Sequence, residues 1–441
     1  MNWEKVKLGS ILTESKVISE NPDTNKRIKV RLKVLGVEKR GIENEVEGAT
    51  KQFIRRAGQF IFGKQNFHKG AFGIVPDELD GFESSSDLPA FDIDKSCLPE
   101  FLFYFFKQGN YYLELSKIAY GVATQRINMK EFFELEIPLP DIEIQKQIIS
   151  QFKTLENGGL KISSELTHQL DLIKQMRQAF LREAMQGKLV KSTNTKETGQ
   201  QLLTKIKAEK AKLIAEKKIK PGKLQESEVL EGLHFEIPKH WVWCNLDDIC
   251  RNITDGTHQT PIYTNEGIPF ISAQHVKPFK FTPDNRKFVS YEAYLECIKN
   301  KKPEIGDILI TRVGAIGEAA VINQEIDFAF YVSLGLIQPF INLVNSHYIE
   351  LVINSPYGNA YSKGNVSSKG SSAGNFNLGR IRSFQIPLPP FHEQEQIVVK
   401  LEELMAFCED LEQSIKESQG YNEMLLQQVL REALQGEAIA V

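Results

Sequence analysis

The chain has 441 residues, of which 41% are hydrophobic and 25% are charged, a composition typical of an ordinary globular protein. Hydrophobic cores stop growing at about 250 to 300 residues, so at least two domains are expected. The net charge of -3 argues against a polybasic, non-specific nucleic-acid binder. The five cysteines show no CxxC spacing, so the sequence suggests neither a disulfide framework nor a zinc site.

The N-terminal sequence carries charges at Glu4, Lys5 and Lys7, where a secretory signal would need an apolar run. No apolar stretch of the chain approaches the roughly 18 residues of a membrane span. We therefore expect a cytoplasmic protein with no membrane partner.

Residues 1–136 are predicted to form a first globular segment. The apolar run at residues 59–62 is typical of a β-strand, and Gly, Pro and Ser loops interrupt such runs, which indicates a mixed α+β domain of the α/β class. Residues 1–69 hold 15 Lys and Arg against 8 Asp and Glu, so basic surface is available, although a solvated charged face is a common explanation. Candidate binding residues in the polar loops are Lys51, Arg55, Arg56, Lys64, Asn66, His68, Lys69, Ser85, Gln125 and Arg126.

Residues 137–190 are predicted to form a long helix. It follows the sequence Ile-Pro-Leu-Pro at 137–140, which cannot itself be helical. Apolar residues then recur every seven positions, as in a coiled coil, and roughly 44 helical residues would extend about 65 Å. The adjacent Gly158 and Gly159 each cost about 1 kcal/mol and mark a place where helices kink, which leaves the straightness of this helix open. The predicted helix-pairing residues are Ile148, Phe152, Leu155, Ile162, Leu166 and Ile173.

Residues 191–240 are predicted to be a connector. Residues 191–223 hold 10 Lys and Arg against 3 acidic residues. The stretch from Gln201 to Lys218 is rich in Lys, Ala and Glu and should be helical, and Pro221-Gly222 should end it.

Residues 241–385 are predicted to form a second globular segment with β-strands at residues 307–310 and 317–322. The sequence Asp-Gly-Thr-His-Gln-Thr-Pro at 255–261 packs short polar side chains around a turn. The strand at 307–310 continues into Thr-Arg-Val-Gly, which would present an arginine at a strand end, and a Gly-Ser loop with two lysines follows at 363–372. Candidate binding residues here are Thr257, His258, Gln259, Thr260, Gln274, His275, Arg312, Lys363, Lys369, Ser371 and Ser372.

Residues 386–441 repeat the first helical segment without a gap, 249 positions further along the chain. Both copies contain Ile-Pro-Leu-Pro, then Gln-x-Gln-Ile, and end in Leu-Arg-Glu-Ala-x-Gln-Gly. The two globular segments also open alike, because Trp3 and Leu8 have the spacing of Trp241 and Leu246. The chain is therefore a duplicated half-molecule, and its function must use two of something. The predicted pairing residues of this second helix are Ile397, Leu401, Leu404, Leu411, Ile415 and Leu425.

Motifs of catalysis are missing from the sequence. It contains no Walker loop, dinucleotide fingerprint, HExxH or GxSxG elbow. The Leu-Pro-Pro-Phe at 388–391 resembles the motif with which amino-methyltransferases hold an amine, but Leu388 lacks the side-chain oxygen that this needs, so we interpret it as a helix start. The histidines of the second half lack ligand spacing. Binding is therefore favoured over catalysis.

The polar loops suit recognition of nucleic acid. Arginine binds guanine edges with two hydrogen bonds, Asn and Gln bind adenine, Ser and Thr adapt to either, and Lys or backbone amides hold phosphates. Each loop alone is more often a solvated turn, but such loops recur in corresponding places of both halves.

Taken together, these motifs resemble the DNA-specificity subunits of type I restriction-modification systems. The resemblance rests on the paired Ile-Pro-Leu-Pro and Leu-Arg-Glu-Ala-x-Gln-Gly segments, on Asp-Gly-Thr-His at 255–258 and on Gly-Asp-Ile-Leu-Ile-Thr-Arg-Val-Gly at 306–314. It covers essentially the whole chain. The departures are the glycine pair at 158–159 and the weak similarity between the two globular segments.

The resemblance implies a non-catalytic subunit with two target-recognition domains, separated by two long antiparallel coiled-coil helices in a pseudo-two-fold internal repeat. Such a subunit binds double-stranded DNA and two modification subunits that methylate adenine N6. The restriction subunits add ATP-driven translocation and cleavage. It would bind no cofactor itself, since S-adenosylmethionine, ATP and Mg²⁺ belong to the partner subunits. Residues 1–136 would recognise one half-site and residues 241–385 the other.

Two alternatives stay open from the residues alone. A coiled-coil scaffold with two domains for ligands other than DNA would show no sequence-dependent DNA affinity, whereas a specificity subunit binds specific DNA in a salt-sensitive way. A self-sufficient nuclease or methyltransferase would need activity from the chain alone, which the missing motifs disfavour.

Overall fold

A computed structural model of the chain describes residues 3–41, 51–108, 111–121, 125–191, 197–223, 235–283, 287–299, 302–366 and 374–434. The chain forms two compact units. Unit 1 comprises Met1–Gln169 with Ser414–Val441, and unit 2 comprises Leu170–Gln413. Within the described ranges, no helix is both long enough and apolar enough to cross a lipid bilayer.

Unit 1 contains the first globular segment. Its strands are β1 (Lys5–Lys7), β2 (Leu12–Glu14), β3 (Ile28–Val30), β4 (Val37–Lys39), β5 (Gln52–Ile54), β6 (Phe60–Phe62), β7 (Phe72–Ile74), β8 (Glu83–Ser85), β9 (Ala90–Ile93), β10 (Ala119–Tyr120), β11 (Arg126–Ile127) and β12 (Glu136–Pro138). Its helices are α1 (Leu8–Ile11), α2 (Pro99–Lys107), α3 (Tyr111–Glu114), α4 (Met129–Glu134) and the first part of α5 (Ile142–Met185).

Phenylalanines fill the core of this segment. The ring centroids of Phe62 and Phe67 lie 4.6 Å apart, and those of Phe60 and Phe106 lie 5.5 Å apart. Offset or edge contacts at such distances add to the gain from burying the rings. The predicted strand at 59–62 is therefore confirmed as β6, which lies inside the sheet β2-β9-β6-β7 and whose three residues are all buried.

Unit 2 contains the connector and the second globular segment. Its strands are β13 (Val242–Asn245), β14 (Cys250–Asp255), β15 (Tyr263–Thr264), β16 (Ile268–Ile271), β17 (Val276–Lys277), β18 (Lys280–Phe281), β19 (Phe288–Val289), β20 (Ile308–Thr311), β21 (Ala319–Val321), β22 (Ala329–Phe330), β23 (Leu334–Pro339) and β24 (Gln385–Leu388). Its helices are the end of α5, α6 (Gly199–Ala215), α7 (Tyr291–Ile298), α8 (Ser346–Asn354), α9 (Pro356–Gly364), α10 (Leu378–Arg382) and most of α11 (Phe391–Leu434).

The duplication extends into the sheets of the two globular segments. Strand β1 pairs with β12 as β13 pairs with β24, with Val6 opposite Ile137 and Cys244 opposite Ile386. The sheet β2-β9-β6-β7 of unit 1 has the order of the sheet β14-β23-β20-β21 of unit 2, and all of its pairings are antiparallel in both. Unit 2 adds a second four-stranded sheet, β15-β19-β16-β22. The two halves therefore share a scaffold that their sequences barely reveal.

The connector helix α6 is close to its prediction, running from Gly199 to Ala215 instead of from 201 to 218. Thr198 begins it with a capping box, in which its side chain accepts from the backbone of Gln201. Leu203 and Ile206 are buried in the core of unit 2. The lysine-rich connector therefore packs against the second globular segment.

A buried glutamine ties each long helix to its own globular segment. In unit 1, Oε1 of Gln145 accepts a hydrogen bond from the backbone N–H of Leu98, 2.7 Å away, just before α2. In unit 2, Oε1 of Gln394 accepts from the backbone N–H of Asn345, 2.9 Å away, at the start of α8. Both amide groups also donate to backbone carbonyls, and both side chains are 0% exposed. The repeated glutamine is thus a structural residue that satisfies buried backbone groups.

The shared Leu-Arg-Glu-Ala-x-Gln-Gly motif ends helix α5. Leu181, Ala184 and Met185 are buried in the core of unit 2. Gly187 has a φ of +66° and terminates the helix, and a Cβ at this position would lie 2.5 Å from the Pro238 ring. Only glycine fits such a left-handed, crowded position. The corresponding Gly436 lies outside the described residues.

Helices α5 and α11 contact each other within each unit. In unit 1, the amide of Asn422 donates to the carbonyl of Gly159 at 3.0 Å. In unit 2, Arg177 forms an ion pair with Glu412 at 2.8 Å. Each unit therefore contains its own contact between the two long helices.

The apolar residues that recur every seven positions in the sequence, here called columns, account for this pairing only in part. Ile148 and Phe152 pack into the core of the globular segment in unit 1, and Ile397 and Leu401 do so in unit 2. Their apolar character therefore serves domain packing. The other predicted positions that are buried or half-buried are Leu166, Ile173, Leu404, Leu411 and Ile415.

Three predicted pairing residues are wrong. Leu155, Ile162 and Leu425 are 38%, 51% and 62% exposed. An α-helix with 3.6 residues per turn drifts by about 20° per heptad from a strict seven-residue repeat, so successive members of a column turn away from the partner. The contact in unit 1 instead uses residues 159, 422 and 426.

Gly159, the second residue of the glycine pair, serves helix packing. Helix α5 continues through Gly158 and Gly159 without interruption. A Cβ on Gly159 would lie 2.5 Å from Cδ1 of Leu426, so the missing side chain makes room for that leucine. The positions that match Gly159 and Leu426 are Cys408 and Arg177, and these also contact each other. The same pair of positions therefore forms the helix contact in each unit.

We expect Gly159→Leu to weaken the helix pairing and Gly158→Leu to preserve it. Both changes replace glycine in a helix and each gains about 0.8 kcal/mol of helix propensity. Only the side chain at 159 would collide with Leu426, at a cost of about 1 to 3 kcal/mol, because a Cβ on Gly158 meets nothing within 4 Å. Urea denaturation of both variants measures the difference. Equal stability of the two variants would contradict the packing role.

Candidate nucleic-acid interface

Polar loops of the first globular segment converge near residues 64, 87 and 126. The backbone N–H of Lys64 donates to the carbonyl of Asp87 at 3.0 Å, and the carbonyl of Lys64 accepts from Ile127 at 2.9 Å. Arg126 lies 3.4 Å from the Asp87 carboxylate, and Ser85 is the last residue of β8, two residues before Asp87. The structure therefore brings together four predicted residues, half-buried Lys64, Ser85 and Arg126 with exposed Gln125.

Arg55 is a structural residue, which corrects its prediction as a DNA contact. Its side chain is 1% exposed, and its three nitrogens donate to the Ser84 hydroxyl at 2.7 Å, the Ser15 carbonyl at 2.9 Å and the Leu88 carbonyl at 3.1 Å. Burial lowers the pKa of the guanidinium to about 10. The group holds three loop segments together and cannot reach DNA. Its neighbour Arg56 is exposed, as is Lys51.

His68 is a second correction in this segment. It is 8% exposed, and burial together with the nearby Lys69 charge lowers its pKa. Its prediction as a reader is therefore wrong, because a ring with so little exposed surface cannot reach a base. Exposed Lys69 lines a pocket of about 590 Å³ with Lys33, Lys107 and Tyr112, away from the cluster around Lys64. Half-buried Asn66 accepts backbone hydrogen bonds through its carbonyl in the same turn.

In the second globular segment, the Asp-Gly-Thr-His motif contacts the Thr-Arg-Val-Gly motif. Arg312 is 5% exposed, and its Nη1 lies 2.6 Å from Oδ2 of Asp255. Its guanidinium also donates to the carbonyls of Val332 at 3.0 Å and Phe376 at 3.0 Å. The expectation that this arginine is presented to DNA is wrong, because its guanidinium is buried and paired with the Asp255 carboxylate. This partner lies 57 residues earlier in the chain.

The first three residues of the Asp-Gly-Thr-His motif have separate structural tasks. Asp255 anchors the loop on Arg312. Gly256 allows a close approach to β22, since a Cβ there would lie 2.2 Å from the Phe330 carbonyl. Thr257 joins the loop to residues 330–332 through its backbone N–H and carbonyl. Its hydroxyl donates to the carbonyl of Gln259 at 3.0 Å. His258, Gln259 and Thr260 are left exposed as predicted readers.

The turn that contains Gln274 lies beside this loop. The backbone N–H of Ala273 donates to the hydroxyl of Ser333 at 3.2 Å, and the carbonyl of Ser333 accepts from Arg312. Gln274 is exposed. His275 is 7% exposed and its Nδ1 lies 3.0 Å from the backbone nitrogen of Ser272, so it closes the turn and its prediction as a reader is wrong.

The remaining predicted residues of this segment lie near the Thr-Arg-Val-Gly loop. Lys363 is exposed at the end of α9, next to Ser362, whose side chain would contact a Cβ on Gly317. Lys369, Ser371 and Ser372 lie outside the described residues.

Sequence reasoning missed Ile262 and Tyr263, which extend the reader loop. Ile262 is 88% exposed, and the Lys287 ammonium lies 4.8 Å from the Tyr263 ring centroid, a cation–π distance. Ile262 precedes β15 and Tyr263 is the first residue of that strand, and the search for polar readers passed over both because they are apolar. The preceding Pro261, which cannot extend a sheet ladder, is the signal that marks the end of the loop.

Asp307 in the Gly-Asp-Ile-Leu motif holds the start of β20. It is fully buried, accepts from the backbone N–H of Glu304 at 3.0 Å and from Gln338 at 2.7 Å, and lies 3.4 Å from Arg251. Burial raises its pKa to about 6. The residue has no access to a ligand, so its role is structural. In the described part of the chain, no group of three or more His, Cys, Asp and Glu residues could hold a metal ion.

The geometry defines a class of binding protein with two similarly built domains that carry different polar loops. The family model for the type I restriction modification DNA specificity domain matches residues 1–172 and again residues 238–418. The two matches account for most of the chain, one for each globular segment and its helix. The chain therefore belongs to this family.

Curated relatives include two from Escherichia coli. The chain is 23% identical over 341 residues to the type I restriction enzyme EcoBI specificity subunit, which covers 77% of this chain and 66% of that protein. It is 28% identical over 277 residues to the EcoAI specificity subunit, covering 58% of this chain and 44% of that protein. The chain thus matches less than two thirds of the length of these relatives.

Two solved structures have a similar fold. The HsdS subunit from Thermoanaerobacter tengcongensis aligns with a TM-score of 0.57 at 17% identity, covering 99% of this chain and 97% of that one. A chain from a study of complex assembly and conformational transition in the type I R-M system aligns with a TM-score of 0.67 at 17% identity, covering 99% and 98%. At this identity the likeness concerns the fold alone.

We expect the adjacent variants Arg55→Ala and Arg56→Ala to behave differently. Loss of Arg55 removes three hydrogen bonds of a buried side chain and should lower the free energy of unfolding by about 2 to 4 kcal/mol. Loss of exposed Arg56 should change it by less than about 0.5 kcal/mol. Chemical denaturation of both variants measures this, and an Arg55→Ala protein as stable as Arg56→Ala would contradict the structural role.

Proposed function

We propose that this chain is the DNA-specificity subunit of a type I restriction-modification complex. It recognises an asymmetric bipartite target in double-stranded DNA and directs adenine-N6 methylation and restriction, which partner subunits carry out. The observation that supports this most is the pair of sheets with the same strand order, whose exposed loops differ. A repeated scaffold with different loops suits the recognition of two different half-sites.

The subunit itself is proposed to be non-catalytic. The buried side chains of Arg55, Arg312 and Asp307 are committed to structural hydrogen bonds. S-adenosylmethionine, ATP and Mg²⁺ would be held by the modification and restriction subunits. The proposed location of the complex is the cytoplasm.

Recognition is assigned to exposed and half-buried polar residues in or beside the loops of each half. In the first half these are Lys51, Arg56, Lys64, Ser85, Gln125 and Arg126, and in the second Thr257, His258, Gln259, Thr260, Gln274 and Lys363. Amides and hydroxyls of this set would contact base edges, and lysines would contact phosphates. The rival function, a scaffold for ligands other than DNA, gives no reason for polar readers in both halves.

Exchange of residues 1–136 for the matching segment of another specificity subunit should change one half of the methylated sequence and leave the other half intact. The physical reason is that each globular segment has its own core and its own loops. Methylation mapping with the cognate modification subunit measures the outcome, and the reciprocal exchange of residues 241–385 is the matched control. A change in both half-sites after either exchange would contradict the proposal.

We assign the docking of a modification subunit to an apolar face of α11. Tyr421, Met424 and Leu425 follow the i, i+3, i+4 spacing of one helical face and are 67%, 68% and 62% exposed. Clustered exposed apolar side chains mark interaction sites on proteins. A modification subunit that covers them would remove this apolar area from water.

The docking assignment predicts that Met424→Asp abolishes or strongly weakens assembly, whereas Met424→Leu retains it. The aspartate would bury a charge at an apolar contact, and leucine keeps the apolar volume. Size-exclusion chromatography with light scattering on the co-expressed subunits measures the complex. Normal assembly of the Met424→Asp variant would refute the assignment, and its unchanged thermal unfolding would serve as the folding control.

A further inference from the structure

The carboxylate of Asp255 joins a buried arginine to an exposed histidine. Its Oδ2 lies 2.6 Å from Nη1 of Arg312 and 3.2 Å from Nε2 of His258. Arg312 is fixed by two further hydrogen bonds to backbone carbonyls and is 5% exposed. The side chain of His258 is 73% exposed. The histidine ring is thus attached to the rigid interior of unit 2 through a single carboxylate.

Hydrogen-bond chemistry fixes which nitrogen of the ring carries the proton shared with Asp255. A carboxylate paired with a guanidinium has only acceptors, so Nε2 of His258 must carry the proton that it shares with Asp255. In the neutral imidazole the other nitrogen, Nδ1, then has a free lone pair and acts as an acceptor. The loop therefore presents a hydrogen-bond acceptor in a defined orientation.

An acceptor of this kind distinguishes between the groups of a DNA duplex. Phosphate oxygens are acceptors and would repel the lone pair. On the major-groove base edges, guanine N7 and O6 and thymine O4 are also acceptors, whereas adenine N6 and cytosine N4 are amino donors. The tautomer that Asp255 imposes therefore excludes the backbone and selects an amino group.

We propose that His258 is a specificity-determining residue whose Nδ1 accepts a hydrogen bond from an adenine or cytosine amino group, and that Asp255 is its positioning residue. The inference rests on the proposed function and assigns the contact to the half-site recognised by residues 241–385. Arg312 supports the contact from inside and does not touch DNA.

The rest of the loop is built to hold this geometry. The N–H of Thr257 donates to the Phe330 carbonyl at 2.9 Å, and its own carbonyl accepts from Val332 at 3.0 Å. These two hydrogen bonds fix the backbone immediately before the histidine. A preorganised reader loses little conformational entropy on binding, which supports discrimination between bases.

The test compares His258→Ala, His258→Gln and Asp255→Asn in the complex with the cognate modification subunit, by selection of bound sequences from a randomised DNA library. His258→Ala should lose about 5- to 150-fold discrimination at one base pair of one half-site, as expected for loss of a base contact. His258→Gln, which keeps a side-chain acceptor, should restore part of it. Exposed Glu266 supplies a control, since Glu266→Ala should leave every position unchanged.

The Asp255→Asn variant distinguishes a role of Asp255 in positioning His258 from a purely structural role. The amide can turn its N–H₂ group toward His258 and reverse the tautomer, so discrimination should fall at the same base pair that His258→Ala affects. A purely structural role would weaken binding to all sequences equally. Thermal unfolding records any folding defect caused by leaving Arg312 unpaired, and His258→Ala, which changes an exposed side chain, keeps the test independent of folding.

The outcomes distinguish a failure of the proposed function from a failure of the His258 assignment. A wild-type complex without any sequence preference would overturn the proposed function. A sequence-specific wild type whose His258→Ala variant keeps full discrimination, or binds all sequences equally more weakly, would overturn only the assignment of His258. Uniformly weaker binding by the His258→Ala variant would mean that a doubly protonated ring contacts phosphate.

Discussion

The structure depends on one repeated constraint, the buried amide that joins each long helix to its own globular segment. Each glutamine, Gln145 or Gln394, accepts a hydrogen bond from the backbone N–H at the start of a helix in its globular segment. It also donates to a proline carbonyl in the turn just before its own long helix. A fully buried amide with its bonds made is costly to displace, because each lost bond leaves an unpaired polar group. The direction in which the helix leaves the domain is thereby fixed, and recognition loops on that domain inherit a fixed frame.

Around this frame the two halves have diverged where the scaffold tolerates it. The Trp241 indole donates to Glu393 at 3.1 Å, whereas the indole of Trp3 finds no acceptor among the described residues, because Ile144 occupies the position that matches Glu393. Each half also contains a buried guanidinium near its loops, that of Arg55 in the first half and that of Arg312 in the second. The two arginines do not occupy matching positions in the sequence. The sheets have kept their order while the surfaces have changed, which suits the proposed recognition of two different half-sites.

The sequence predicted the elements that local rules control. Both long helices have 44 residues at matching positions, which the repeat and the Pro-Leu-Pro starts anticipated. It misplaced Leu425 because a seven-residue count ignores helical drift, and it mistook Arg55, His68, His275 and Arg312 for readers. A sequence reveals that a residue is polar and near a turn, but the direction of its side chain depends on partners far along the chain, such as Asp255 for Arg312.

The most direct test of a two-reader molecule is long-read methylation mapping of cells that carry this chain with its cognate modification subunit. The account predicts N6-methyladenine in one asymmetric motif made of two specified parts separated by an unspecified gap of constant length. A continuous motif, a symmetric motif that requires only one reader, or no sequence-dependent methylation by an assembled complex would contradict it.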